Sequence, residues 1–145
     1  YLFLWEYCVQ ITIDRLTAYA CYEQTDLFES MVRGMQAKME MIHRYPDMAN
    51  FTIKAFYETE PDIRAAVLES YQTHFNFKAD QTLVNMNPEQ FAPGIDIEMM
   101  YRNMYWASEG YLWELVQHGE VDYEQMEKDF LKLIDFWKSV YLRKE

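Results

Sequence analysis

The sequence has little cysteine, glycine or proline, and it has no long apolar run. Among its 145 residues are two Cys, four Gly and four Pro. Two cysteines are too few for a disulfide framework, so we expect a protein of the reducing cytoplasm. The scarcity of Gly and Pro favours long helices over many tight turns. No stretch of about 18 uninterrupted apolar residues occurs, so we predict no transmembrane helix and no membrane partner.

Positive charge is also scarce. The chain has 13 Lys and Arg against 24 Asp and Glu, for a net charge of −11. Because such a surface repels phosphate backbones, we do not expect this chain to bind nucleic acid by itself. Hydrophobic residues make up 50% of the chain and aromatic residues 17%, with ten Met besides. This composition excludes a disordered chain and predicts one domain over residues 1–145 with a substantial core.

Apolar residues recur at intervals of three and four along most of the chain. This spacing predicts an all-α fold, an antiparallel helical bundle, with no strand-like alternation. Asp26, with Glu three positions later, forms a capping box before a helix. Pro46 stands at a first helical position, and Thr59 is a candidate cap for the helix that contains Pro61. We therefore expect several helices before residue 76.

The last third of the chain predicts a helical hairpin. A long helix over residues 95–118 ends before Gly119, which is a frequent residue just past a helix C-terminus. Asp122, with Gln three positions later, begins the final helix, and the short connection favours antiparallel packing. Gly110 lies inside the long helix, where a glycine costs roughly 1 kcal/mol against alanine. A second helix approaching closely at that point would explain it.

Two stretches resemble the C-terminal regulatory domain of TetR/AcrR-type transcriptional repressors. They are HRYPDMANFTIKAFYETEPDIRAAV, like the family's Tyr-Pro-led helix followed by an acidic-Pro-led one, and YWASEGYLWELVQHGEVDYEQMEKDFLKLIDFWKSVYL, like its terminal helix pair. The resemblance covers essentially the whole chain and implies an effector-sensing, dimerising domain that is not an enzyme. The family's basic helix-turn-helix is not present. DNA contact is therefore expected only through a module upstream of residue 1, whose linking helix would contain the first residues here.

The resemblance implies that the last two helices of each protomer form a four-helix bundle about a two-fold axis. These helices carry more bulky apolar residues than one inward stripe can hide. The alternative is that all of them pack on the chain's own core. The candidate dimer interface comprises Tyr101, Tyr105, Trp106, Ala107, Ser108, Gly110, Tyr111, Trp113, Phe130, Trp137 and Tyr141.

Methionine and aromatic residues of the middle helices predict a cavity for a small apolar effector. Unbranched methionines adapt to ligands of different shape, although ordinary core packing is the alternative for each of them. The candidate lining residues are Met31, Met35, Met39, Phe56, Tyr71, Phe75, Met100 and Met104. A carboxylate beside aromatic rings, such as Glu6 next to Trp5, can also attract a lipophilic cation, unless it is simply a solvated surface group. Effector binding would shift the first helix and so relieve DNA binding.

Two other functions remain as hypotheses. Glu40 and His43 form one Glu-x-x-His, the spacing used in carboxylate-bridged metal bundles, so a stand-alone helical protein that binds a metal or cofactor, or an enzyme, is the alternative. No second such motif occurs, and a His at a helix end commonly complements the helix dipole. We therefore predict no catalytic residues, no metal and no cofactor. A structural dimerisation module without a ligand is the third hypothesis.

Overall fold

The computed structural model describes residues 1–76 and 83–144, and it confirms the all-α class. Every regular element with described bounds is a helix. Contacts group the chain into two compact units, Tyr1–Met86 and Asn87–Glu145, where the sequence predicts one domain. None of the described helices combines the length and apolar character needed to cross a bilayer.

Four α-helices of the first unit have bounds that lie within the described residues. They are α1 (Leu2–Ala18), α2 (Leu27–Arg44), α3 (Pro46–Ala55) and α4 (Pro61–Tyr71). Helix α1 contacts each of the other three, so it forms the centre of this unit. A π-helical turn, Gln72–Asn76, continues directly from α4.

The predicted helix starts in this unit are confirmed except for one. The Asp26 carboxylate accepts hydrogen bonds from two backbone N–H groups of the first turn of α2. Pro46 is the first residue of α3, as predicted. The prediction for Thr59 is wrong by one residue, because α4 begins at Pro61 and its N-cap is therefore Glu60, which makes no side-chain capping bond.

Two clusters of buried side chains lie in the core of the first unit. One lies at α1, α3 and α4 and is built on Trp5, with eight further members: Val9, Ile13, Phe51, Ala55, Phe56, Ile63, Val67 and Tyr71. The other lies at α1, α2 and the turn between them, around Leu16, Cys21 and Ala37. The thiols of Cys8 and Cys21 are buried and free, and burial raises the pKa of both.

The second unit contains the predicted helical hairpin. Its helices are α5 (Ile97–Gln117) and α6 (Tyr123–Tyr141), preceded by a 3-10 turn, Pro88–Gln90. The side chain of Asp122 accepts the Gln125 backbone N–H at 3.1 Å, which confirms the predicted cap. Gly119 follows α5 with a φ of +101°, the left-handed conformation expected just past a helix end.

Backbone hydrogen bonds close this hairpin at its open end. The Ala92 N–H donates to the Tyr141 carbonyl at 2.8 Å, and the Arg143 N–H donates to the Gln90 carbonyl at 2.8 Å. Phe91 and Leu142 form an isolated antiparallel bridge between these bonds. The segment before α5 and the end of α6 are therefore fixed to each other, which sets the register of the hairpin.

Candidate functional site

The hairpin of the second unit exposes an apolar row along α5. Met99, Trp106 and Trp113 are seven residues apart and are 48%, 55% and 50% exposed. Two helical turns take about seven residues, so the three side chains share one side of the helix. Met100 and Met104, on the other side, are both 2% exposed. Helix α5 therefore has two apolar sides, of which only one is covered.

Helix α6 shows the same division. Met126, Ile134 and Trp137 are buried on one side. Phe136 and Val140, one helical turn apart on a different side, are 61% and 47% exposed. Large exposed aromatic groups on adjacent helices form the kind of surface that marks an interaction site. We call six of the exposed residues of the two helices the hairpin face: Met99, Trp106, Gly110, Trp113, Phe136 and Val140.

A groove runs between α5 and α6 beside the hairpin face. Its cavity volume is about 540 Å³, and its walls carry both signs of charge. The lining residues are Ala107, Gly110, Tyr111 and Glu114 of α5 with Asp129, Lys132 and Leu133 of α6. Small side chains of α5 thus leave a recess large enough for an aromatic ring.

Gly110 lies in this recess without any close neighbour. A Cβ atom built on it would meet no atom of the described residues within 4 Å outside its own helix backbone. The helix packing within this chain therefore does not require a glycine here. The predicted close approach therefore does not come from a helix in the described part of this chain.

One polar pair joins the two helices at the groove. The Tyr111 hydroxyl donates to Oδ2 of Asp129 at 2.6 Å, and Gln125 Nε2 donates to Oδ1 of the same carboxylate at 2.9 Å. The Tyr111 bond, followed by the Gln125 bond, lowers the pKa of Asp129. Burial and the adjacent carboxylate raise the pKa of Tyr111. The Tyr111 ring also meets Phe130 edge-on at 5.0 Å between centroids, so this contact holds the hairpin together.

The other predicted interface residues divide by exposure. Tyr105 and Ala107 are exposed, while Trp137 is only 5% exposed and so is covered within the chain. The half-buried members are Tyr101, Ser108, Tyr111, Phe130 and Tyr141. Arg102 places its guanidinium 5.9 Å from the Trp106 ring centre and thus partly shields an exposed indole.

The predicted ligand residues fall into both units. On α2, Met35 and Met39 are buried and Met31 is half-buried. Met100 and Met104 belong to the second unit. The side chain of Phe75 lies outside the described residues.

The structure brings two of the predicted ligand residues together, around a tryptophan that the prediction did not include. Phe56 meets Trp5 edge-on at 5.4 Å between ring centres and Tyr71 at 5.1 Å. Trp5 is 1% exposed, and its indole Nε1–H is a buried donor with no hydrogen-bond partner. We call these three residues the Trp5 cluster.

A polar trio joins α1 to α4 next to the Trp5 cluster along the chain. The Ser70 hydroxyl donates to Oε1 of Glu6 at 2.6 Å, and His74 Nε2 lies 3.5 Å from Oε2 of Glu6. The Glu6 carboxylate, a predicted attractant for a cation, is about half exposed and is already hydrogen-bonded. His74 reaches it from the π-helical turn.

The residues of the alternative metal hypothesis are Glu40 and His43, and their neighbours among the described residues do not form a metal site. Oε1 of Glu40 lies 3.4 Å from Nη1 of Arg15 and 3.9 Å from Nη1 of Arg44, and His43 is exposed. Within residues 1–76 and 83–144, no group of three His, Cys, Asp or Glu side chains could hold a metal ion. Glu40 thus takes part in ion pairs with two arginines.

Comparisons with family models, with curated proteins and with solved structures find no match for this chain.

Proposed function

We propose that this chain is the effector-sensing and dimerising domain of a TetR-like transcriptional repressor, and that two copies associate through the hairpin face. The observation that carries the proposal is the exposure of Trp106 and Trp113 on α5, the helix that also forms one wall of an open groove. Aromatic residues are enriched in protein interfaces, where they supply much of the binding energy.

A second copy fits this surface because the hairpin face is self-complementary. A two-fold interface needs a projection and a matching recess on the same patch. Trp106 and Trp113 project, and the groove at Ala107 and Gly110 is a recess one turn away on the same helix. Each copy thus provides a projecting tryptophan and a recess that can accept the tryptophan of the other copy.

The charged residues also favour a second copy of the chain as the occupant of the hairpin face. The chain has a net charge of −11, so two copies repel each other in general. The hairpin face and its groove differ from that average, because Arg102 and Lys132 accompany Glu109, Glu114 and Asp129 there. Opposite charges at an interface oppose the general repulsion and help to fix the register.

Helix geometry suggests one register for the dimer. When two α5 helices cross antiparallel at Gly110, residues equally far from it face each other. Trp113 then faces the partner's Ala107, since each lies three positions from Gly110. The indole would enter the recess lined by small residues, and the absence of a Cβ at Gly110 would let the backbones approach.

Regulation follows from dimerisation in this proposal. Two DNA-reading modules on a dimer must match half-sites about one helical turn apart, roughly 34–36 Å. Helix α1 contacts three other helices of the first unit, so a ligand that displaces it would change the separation of modules attached to its start. By linkage, DNA would weaken effector binding by the same factor.

Sedimentation equilibrium of wild type and two variants tests the dimer. We expect a wild-type dimer at micromolar concentration. Trp113→Glu should raise the dimer dissociation constant at least about 30-fold, the effect of losing one strong interface residue. Tyr7→Glu is the matched control, because Tyr7 is an aromatic residue of α1 that is 58% exposed and lies outside the hairpin face. A wild-type monomer at 100 µM (roughly 10²-fold above the expected range) or equal effects of the two variants would reject the interface.

The regulatory role has a separate test. The coding sequence upstream of Tyr1 should specify a basic helix-turn-helix module. If it specifies none while the dimer is confirmed, the chain is a dimerising protein of another kind and the repressor role is rejected.

A further inference from the structure

The strongest unexplained feature outside the hairpin is the indole N–H of Trp5. The side chain is 1% exposed, and its Nε1–H has no hydrogen-bond partner. Most buried polar groups in proteins are paired, because an unpaired donor keeps the full desolvation cost. An exception calls for a physical explanation.

An internal water is a poor explanation. Such a water usually makes two to four hydrogen bonds to buried polar groups. Of the side chains packed in the core cluster of Trp5, all but that of Tyr71 offer only hydrocarbon. A hydrogen-bond acceptor carried by an apolar molecule suits these surroundings better, since the molecule also fills apolar space.

Phe56 is the residue of the Trp5 cluster whose side chain can most easily rotate away. It caps the C-terminal end of α3, is half-buried, and its ring lies between Trp5 and Tyr71 at 5.4 and 5.1 Å. Rotation of this side chain into solvent would leave a site the size of one aromatic ring next to the indole of Trp5.

The junction of α1 and α4 beside the cluster is closed by weak contacts. Glu6 follows Trp5 and Ser70 precedes Tyr71, so the exposed Glu6–Ser70 hydrogen bond joins neighbours of two cluster residues. The contact between Glu6 and His74, 3.5 Å between Oε2 and Nε2, is also largely open to solvent and contributes little. His74 stands in a π-helical turn, a distortion that occurs frequently at functional sites.

We propose that the Trp5 cluster binds an aromatic ligand with a carbonyl-type oxygen, which accepts the Trp5 N–H while the ligand ring replaces that of Phe56. This inference rests on the proposed function, for which it names the chemistry of the effector. It also moves the site from the α2 methionines to the junction of α1, α3 and α4.

Two probes of nearly the same shape test the acceptor. Acetophenone carries a carbonyl where ethylbenzene carries a methylene group. Isothermal titration calorimetry of both probes with wild type and Trp5→Phe gives four dissociation constants. We expect the preference for acetophenone over ethylbenzene to fall about 5-fold in Trp5→Phe, the effect of one hydrogen bond. Trp137→Phe, the same change at another buried tryptophan, should keep the wild-type preference.

The wild-type protein provides a second readout that needs no variant to fold. In a ¹H–¹⁵N spectrum, one of the four tryptophan indole signals should move downfield with acetophenone and stay in place with ethylbenzene. An unchanged preference in Trp5→Phe, or no binding of either probe to wild type, overturns the site. Sedimentation of the wild type separates the two proposals, because a wild-type monomer that still binds acetophenone rejects only the interface.

Discussion

Helices α2 and α5 are similar in length but differ in how much of their surface the chain covers. Eight of the 18 residues of α2 are buried, whereas only Met100 and Met104 of the 21 residues of α5 are. Both helices contain an interior glycine with open space around it, Gly34 in α2 and Gly110 in α5. Core packing within the chain thus explains the apolar residues of α2, while the exposed Met99, Trp106 and Trp113 of α5 require another explanation.

The largest expected difference between the two helices is in stability. Phe28 of α2 is 0% exposed, so Phe28→Ala should lower the free energy of unfolding by about 3–5 kcal/mol. Trp106→Ala in α5 should change it by only about 0.5 kcal/mol, because the side chain is 55% exposed. Urea unfolding at a concentration where the chain is monomeric measures both. Equal losses would mean that α5 is as much a part of the core as α2, and the comparison would fail.

Alanine substitution of the two glycines compares α2 and α5 at more closely matched positions, and the expected change in stability is smaller. Gly34→Ala and Gly110→Ala should each stabilise the monomer by up to about 1 kcal/mol, since alanine favours a helix and meets no atom within 4 Å. Only Gly110→Ala should also weaken the dimer, because its methyl group would separate the two α5 helices. Urea unfolding and sedimentation equilibrium of both variants report the two quantities. A tighter dimer in Gly110→Ala would contradict the proposed crossing point.

The smallest expected effect is on how the free energy of unfolding depends on pH. Hydrogen bonds from Tyr111 and Gln125 lower the pKa of Asp129 below its ordinary 3.8. A carboxyl group with a lowered folded-state pKa stabilises the fold above the ordinary value, and this contribution is lost as the pH falls through the folded-state pKa. Wild type should therefore lose more stability than Tyr111→Phe when the pH is lowered from 5 to 2.5. Urea unfolding across this range is the measurement, and parallel pH profiles would show that the pair contributes nothing.

Local signals predicted the helix starts because they act within one or two residues. Asp26, Pro46 and Asp122 each begin or cap a helix where the sequence predicts it. The error at Thr59 has the same local origin, because a proline at the first helical position makes the residue directly before it the N-cap.

Contacts between helices were harder to predict. The spacing of Trp5 places it on the inner stripe of α1 but does not say which rings it meets, since Phe56 and Tyr71 come from two other helices. Nor can spacing reveal that its N–H lacks a partner. The contact between Tyr111 and Asp129, in contrast, could have been predicted from the sequence. Each lies nine positions from Glu120 in the connection, so an antiparallel hairpin brings them level.

Chemical labelling of the two buried thiols can measure how often the first unit opens locally. Cys8 is 1% exposed and Cys21 3%, and alkylating reagents attack only an accessible thiolate. Their raised pKa values slow that reaction further at neutral pH. The rate at which iodoacetamide labels each one would therefore time how often α1 separates from its neighbours, at two places along one helix and its following turn.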